Sequence, residues 1–281
     1  MANIEDPIEF ELFKNAIFAI GDEMAVTICR TTYSGVLRDN MDFSTALADA
    51  NGKMVAQGLT LPGHLGSIPA ALAVVVERFA GDIHPGDMFI LNDPFDGGMH
   101  LPDIFIFQPL YHEGKRVAFA ATISHHSDVG GRVPGSNASD STEIYQEGLR
   151  IPPLKLFDQG KRNETMWSLI EKNVRIPIQV LGDLRAQLAA CHIAETQFAE
   201  LLERYGLEKV ALYMEEVIDY AERLTRAAIA ELPDGQWSFE DWIDDDGIDL
   251  DRPIRLFVTL TKTGEEITAV SYTHLTLPTK A

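Results

Sequence analysis

Two short stretches concentrate side chains able to bind a cation or move a proton. ATISHHSDVGG, residues 121–131, puts His125, His126 and Asp128 directly after an apolar run. GGMHLPD, residues 97–103, puts His100 and Asp103 directly before another. Imidazoles and carboxylates are costly to bury unpaired. Either these are solvated loops, or the groups converge on a cation or a proton-transfer task. Of the 8 histidines, His64, His84, His100, His112, His125 and His126 fall within one stretch, with Asp93, Asp96, Asp103 and Asp128 interleaved.

If the strands after GGMHLPD and before HHSD are antiparallel neighbours, the start of one meets the end of the other at the same sheet edge. His100, Asp103, His125 and Asp128 would then face each other across a glycine-lined cleft and form a metal-ligand set. Mixed nitrogen and oxygen donors suit Mn(II), Zn(II) or Fe(II). Such an ion would polarise a carbonyl or acidify a bound water. Adjacent residues of an extended segment point apart, so one of His125 and His126 binds directly. The other would orient substrate or support the first. His125, His126 and Asp128 are accordingly the catalytic candidates. Gly97, Gly98, Gly130 and Gly131 would let backbone come close to the site.

Other candidates are weaker. Arg30, Arg38 and Asp39 could recognise a carboxylate or phosphate, though helix-end capping and surface charge are the favoured account of them. Glu143, Glu147 and Arg150 in EIYQEGLRIPP would line the same cleft or form an internal ion pair. DDDGIDLD, residues 244–251, lacks the terminal glutamate of a calcium loop and reads as an acidic turn. There is no GxxxxGK[ST], no GxGxxG after a strand and no GxSxG elbow.

The elements that would position these groups are legible. Asp6-Pro7 predicts a helix N-terminus, and Phe13, Ile17, Ile20, Met24 and Ile28 recur on one helical face. FSTALADANGKMVAQG predicts a hairpin turned at Asn51-Gly52. Ser67 is placed to cap a helix through IPAALAVVVERFA. DMFILND, DIFIFQPLY and RVAFAATIS read as strands. Residues 127–143 form a long polar loop of the functional kind. Two helical stretches, divided at Gly206, predict a helical hairpin, and strand character resumes at QWSFEDWID. The expected class is α+β, a mixed or antiparallel sheet with an N-terminal helix, then the helical hairpin and a further β segment. The expected division is a β-rich catalytic region over 1–160, a helical region over 161–232 and the start of a second β region over 233–270. Residues 271–281, SYTHLTLPTKA, read as a non-native tail on a chain whose continuation is lost.

With 281 residues, 46% of them hydrophobic, a sizeable core is available. A net charge of -20 argues against a nucleic-acid partner. Two cysteines without CxxC spacing, and no basic leader, fit a cytoplasmic protein. No apolar run is long enough to span a bilayer.

In order along the chain, DFSTALADANGKMVAQG, HLGSIPAA, LNDPFDGGMHLPD, SHHSDVGGRVPGS, EIYQEGLRIPP and GDLRAQLAA resemble the hydantoinase B / 5-oxoprolinase family. The likeness runs to about Val270 and covers the N-terminal half of a B-type chain. It implies opening of a cyclic amide, 5-oxoproline or a hydantoin, coupled to ATP hydrolysis. It implies a hetero-oligomer in which an A-type partner with an actin-like ATPase fold binds the ATP. By motif it places a divalent metal, manganese by analogy with the carboxylase relatives, at Asp103, at His125 or His126 with Asp128, and at His100. An ATP-dependent ketone carboxylase and a non-catalytic docking fragment for the A-type subunit are the alternative readings.

Overall fold

A computed structural model describes residue 4 and residues 6–273; His274 to Ala281, most of the segment read as a non-native tail, lie outside the described residues. The chain divides into two compact units, one of residues up to Asn137 with Glu143–Val217, the other of Ala138–Thr142 with Ile218 onward.

In the first unit, α1 (Pro7–Thr31) opens where expected. The Asp6 carboxylate accepts hydrogen bonds from the Ile8 and Glu9 amides, which otherwise have no intrahelical partner. Phe13, Ile17, Ile20, Met24 and Ile28 are all buried. A single turn, α2 (Gly35–Arg38), leads into β1 (Phe43–Asp49) and β2 (Met54–Gln57), a hairpin. After α3 (Ile68–Arg78) come β3 (Met88–Leu91), β4 (Asp103–His112), β5 (Lys115–His125), β6 (Leu154–Asp158) and β7 (Lys161–Arg162). Helices α4 (Glu164–Asn173), α5 (Pro177–Tyr205) and the start of α6 (Leu207–Ala230) complete the unit.

The seven strands form one antiparallel sheet, in the order β2-β1-β5-β4-β3-β6-β7. Period-two alternation gives it two buried faces. Phe105, Phe107, Phe119, Ala121 and Ile123 pack under Ile68, Ala71, Leu72 and Val75 of α3. Each large apolar side chain so buried contributes roughly 1.5–3 kcal/mol. The opposite face carries Ile104, Thr122 and Thr45, tied to α5 and α1. Gln187 of α5 donates to the Ile104 carbonyl and to Thr122 Oγ1, and Thr45 Oγ1 donates to the Gly21 carbonyl of α1. The helical stretch therefore does not stand apart from the sheet; α5 lies along α1 and covers this face. Beyond Gly206, Tyr213 of α6 packs edge-on against Phe10 of α1.

The second unit contains the antiparallel sheet β10-β9-β8, from β8 (Gly235–Ile243), β9 (Ile254–Thr263) and β10 (Glu266–Thr273). Ser271, Tyr272 and Thr273 continue β10, pairing with Val258, Phe257 and Leu256. No helix among the described residues is long and apolar enough to cross a membrane.

Candidate metal centre

Register brings the two histidine-bearing stretches together. Asp103, the first residue of β4, pairs directly with His125, the last residue of β5. Both side chains leave the sheet on the α3 side, two residues beyond Phe105 and Ile123. His100 reaches the same point from the turn before β4, its Nδ1 2.5 Å from Asp103 Oδ2. His125 Nδ1 is 3.3 Å from Asp103 Oδ1, and the His100 and His125 rings are 5.0 Å apart. Candidate ligand atoms of His100, Asp103 and His125 all lie within 4.8 Å of one another.

Two further residues complete the constellation, and sequence reasoning gave neither a role there. Asp42 precedes β1, the strand paired to β5, and its carbonyl accepts the His125 amide. Its carboxylate lies 3.5 Å from His64 Nε2 and 3.9 Å from His125 Nδ1. His64 closes a 3-10 turn, Pro62–His64, and is buried with Nε2 3.9 Å from Asp103 Oδ1. Ser67 sits at the N-cap of α3 as expected, but its hydroxyl donates to the His64 carbonyl instead of capping the helix. The available signal was a histidine in a glycine-rich loop directly upstream of a helix.

The tautomer of His64 follows from its other side. Ser44 Oγ donates its proton to the Leu61 carbonyl at 2.6 Å. It can then only accept from His64 Nδ1, 3.2 Å away. The Nε2 lone pair consequently faces Asp42 and Asp103. Burial lowers the His64 pKa, outweighing the two carboxylates. Burial alone would raise the Asp103 carboxyl, but its contacts with His100, His125 and His64 hold it at about 2. The hydrogen bond to Asp103 raises His100, against its partial burial. Asp103 Oδ1 is buried and makes no hydrogen bond among the described residues. A buried carboxylate oxygen whose imidazole neighbours, His125 Nδ1 and His64 Nε2, stand off at 3.3 and 3.9 Å leaves room for a cation that offsets its charge. The residues present therefore fit a divalent ion, with oxygen and imidazole donors suited to Mn(II), Zn(II) or Fe(II).

The remaining candidates go elsewhere. His126 emerges on the opposite sheet face, fully buried, with Nε2 3.0 Å from Gln187 Oε1. Its pKa is lowered by burial. Asp128 is not brought to the cluster, because its carboxylate is held by the Arg175 amide and guanidinium and by the Gly130 and Gly135 amides. Gly130 and Gly131 likewise serve the loop and not the cluster. Arg38 pairs with its neighbour Asp39 on the surface. Arg150 pairs with Asp93 and lines a cleft with Tyr145.

Gly131 has φ +78, and a Cβ there would lie 2.6 Å from the Gln146 carbonyl oxygen. Gly135 has φ +80 with open space around it. Gly135→Ala is expected to cost only the left-handed backbone term, about 1 kcal/mol. Gly131→Ala should cost clearly more, about 2–3 kcal/mol, because backbone must also move. Thermal unfolding of the two variants side by side checks the difference.

The family model described as Hydantoinase B/oxoprolinase matches residues 6–274. Caprolactamase subunit beta of Pseudomonas jessenii is 38% identical over 245 residues, covering 87% of this chain and 42% of that subunit. The crystal structure of the ATP-dependent caprolactamase from that organism superposes with a TM-score of 0.87 at 34% identity, over 96% of this chain and 46% of that one. The 5-oxoprolinase of Dictyostelium discoideum is 34% identical over 228 residues, covering 81% of this chain and 18% of that protein. A nucleotide-free acetone carboxylase structure shares the fold, with a TM-score of 0.88 at 19% identity, over 94% of this chain and 37% of that one. The chain spans less than half the length of each of these proteins.

Proposed function

This chain belongs to the hydantoinase B/oxoprolinase family, and on that premise we propose that it is the B-type part of an ATP-dependent amidohydrolase that opens a cyclic amide of the hydantoin or 5-oxoproline kind. The nucleotide is bound by an A-type partner with an actin-like ATPase fold, in a cytoplasmic hetero-oligomer. Phosphorylation of the amide oxygen by that partner weakens the C–N bond toward attack by water.

The observation that carries the reading is the buried Asp103 carboxylate, contacted by His100 at Oδ2 and faced by His125 and His64 at Oδ1. His100, Asp103 and His125, with Asp42 alongside, would hold a divalent ion, manganese by analogy, which polarises a carbonyl oxygen and acidifies water. Asp103 fixes the His100 ring through Oδ2 and leaves Oδ1 directed at the site. His64 presents an unprotonated Nε2 and is the group placed to take a proton from the attacking water. Ser44 holds that ring in the required tautomer. His126 and Asp128 support the sheet and the loop behind the site without touching substrate.

The test uses the full-length protein assembled with its partner. ADP release is expected to depend on hydantoin or 5-oxoproline and to match ring opening. Dependence on a ketone plus bicarbonate instead would overturn the amidohydrolase reading. His64→Gln is expected to lower kcat by about a hundredfold or more while bound metal is retained. An unchanged kcat would remove His64 from the proton transfer.

A further inference from the structure

Beside the histidine cluster lies a cleft of ≈ 520 Å³ whose walls include Val129, Gly131, Tyr145, Leu149, Arg150 and Pro152. One buried side chain ties its wall to the turn that carries His100. Asn92 Nδ2 donates to the Leu101 carbonyl at 2.6 Å and to the Leu149 carbonyl at 2.9 Å, and Asn92 Oδ1 accepts the Ile151 amide at 2.7 Å. His100 and Arg150 are each one residue from a carbonyl held by that single amide nitrogen.

Arg150 is the cleft's distinctive group. Its Nε and Nη2 lie 3.0 and 2.8 Å from Asp93 Oδ2, and Asp93 is itself nearly inaccessible. The guanidinium sits over the rings of Phe95 and Tyr145. Nη1 makes no hydrogen bond among the described residues, so a fixed N–H donor remains for a ligand. Its charge is already balanced by Asp93. Val129, Leu149 and Pro152 make part of the wall apolar, and the nearby Arg175 guanidinium is itself engaged by Asp128 and by the Gly130 and Gly131 carbonyls. Those features favour a neutral acceptor and disfavour a carboxylate.

We infer that this cleft receives the ring of an uncharged cyclic amide, with Arg150 Nη1 donating to a ring carbonyl oxygen and Tyr145 covering one ring face. The inference rests on the reading of the adjoining cluster as the reaction site, and narrows its substrate to rings without a carboxylate, of the hydantoin or simple lactam type.

Hydantoin and 5-oxoproline, titrated separately into the 281-residue chain and followed by calorimetry, test it. Hydantoin is expected to saturate, and 5-oxoproline to bind at least about tenfold more weakly, the scale of one unfavourable polar contact. Arg150→Lys keeps the charge beside Asp93 but loses the planar fork, and should weaken hydantoin about tenfold. Tyr145 is 74% exposed, so Tyr145→Ala leaves the fold intact and should weaken hydantoin several-fold. Equal or tighter binding of 5-oxoproline, no binding of either ring, or wild-type binding by both variants would overturn the assignment. The reaction itself is separable. If the rings bind as expected but the assembled enzyme opens none, only the proposed activity fails. Turnover untouched by both substitutions leaves the activity standing and removes the cleft.

Discussion

Asp103→Asn is expected to strip the bound divalent ion and to lower turnover of the full-length enzyme by on the order of 10³-fold, about 4 kcal/mol of lost electrostatic stabilisation. The carboxylate is 1% exposed, and its two oxygens do different work. Oδ2 orients His100, and Oδ1 faces His125 and His64. An amide keeps the shape and removes the charge on which both functions depend. It also removes the carboxylate contacts with His100 and His125 that hold the Asp103 carboxyl at about 2, so the metal-free variant should unfold earlier than wild-type protein stripped of metal. Metal content and thermal unfolding, measured on the same preparations, check both parts.

Asp128→Ala should behave in the opposite way, with large loss of stability and a preserved metal site. Asp128 is 1% exposed and anchors the start of the long loop to Arg175, which precedes α5. The Arg175 guanidinium also reaches the Gly130 and Gly131 carbonyls. Removing the carboxylate leaves these donors and the Gly130 amide without their acceptor, at a cost of roughly 3 kcal/mol or about 10 °C in Tm for a unit of this size. The pH dependence has a definite sign. Burial would raise the Asp128 carboxyl, but the Arg175 amide and guanidinium and the glycine amides outweigh it and lower the pKa. A carboxyl depressed on folding contributes stability that is complete above the ordinary carboxylate pKa and is lost as pH falls from about 4 through the lowered value. Wild type and Asp128→Ala should therefore converge in stability on acidification below about pH 4. A gap that stays constant with pH would contradict the ion-pair account.

Local patterns carried much of the fold. The Asp6 cap, the apolar face of α1, the Asn51-Gly52 hairpin and the three central strands are short-range features, and each appears where its residues place it. The antiparallel neighbourhood of β4 and β5 followed from one conditional argument about sheet edges, and the Asp103–His125 pairing satisfies its condition. Strand alternation also separated His125 from His126, since consecutive side chains leave opposite faces. What stayed illegible depends on distant partners. Asp128 sits two residues past His126, a spacing that cannot reveal an arginine 47 positions downstream claiming its carboxylate. Asp42 and His64 enter the cluster through β1, whose pairing with β5 closes a long loop that no local pattern specifies. Gln187 and Asp183 read as polar residues on a helix. Inside the fold, Gln187 satisfies His126 and the sheet, and Asp183 Oδ1 accepts the Tyr33 and Ser34 amides after α1.

The most direct measurement is anomalous X-ray scattering from crystals of the full-length protein with its partner, collected at the absorption edges of manganese, iron and zinc. One peak per B-type chain is expected, within bonding distance of Asp103, His125 and His100 and next to Asp42. A well-ordered, fully active enzyme with no anomalous peak at that point, or with its ion bound on Asp128 and away from Asp103, would contradict the account.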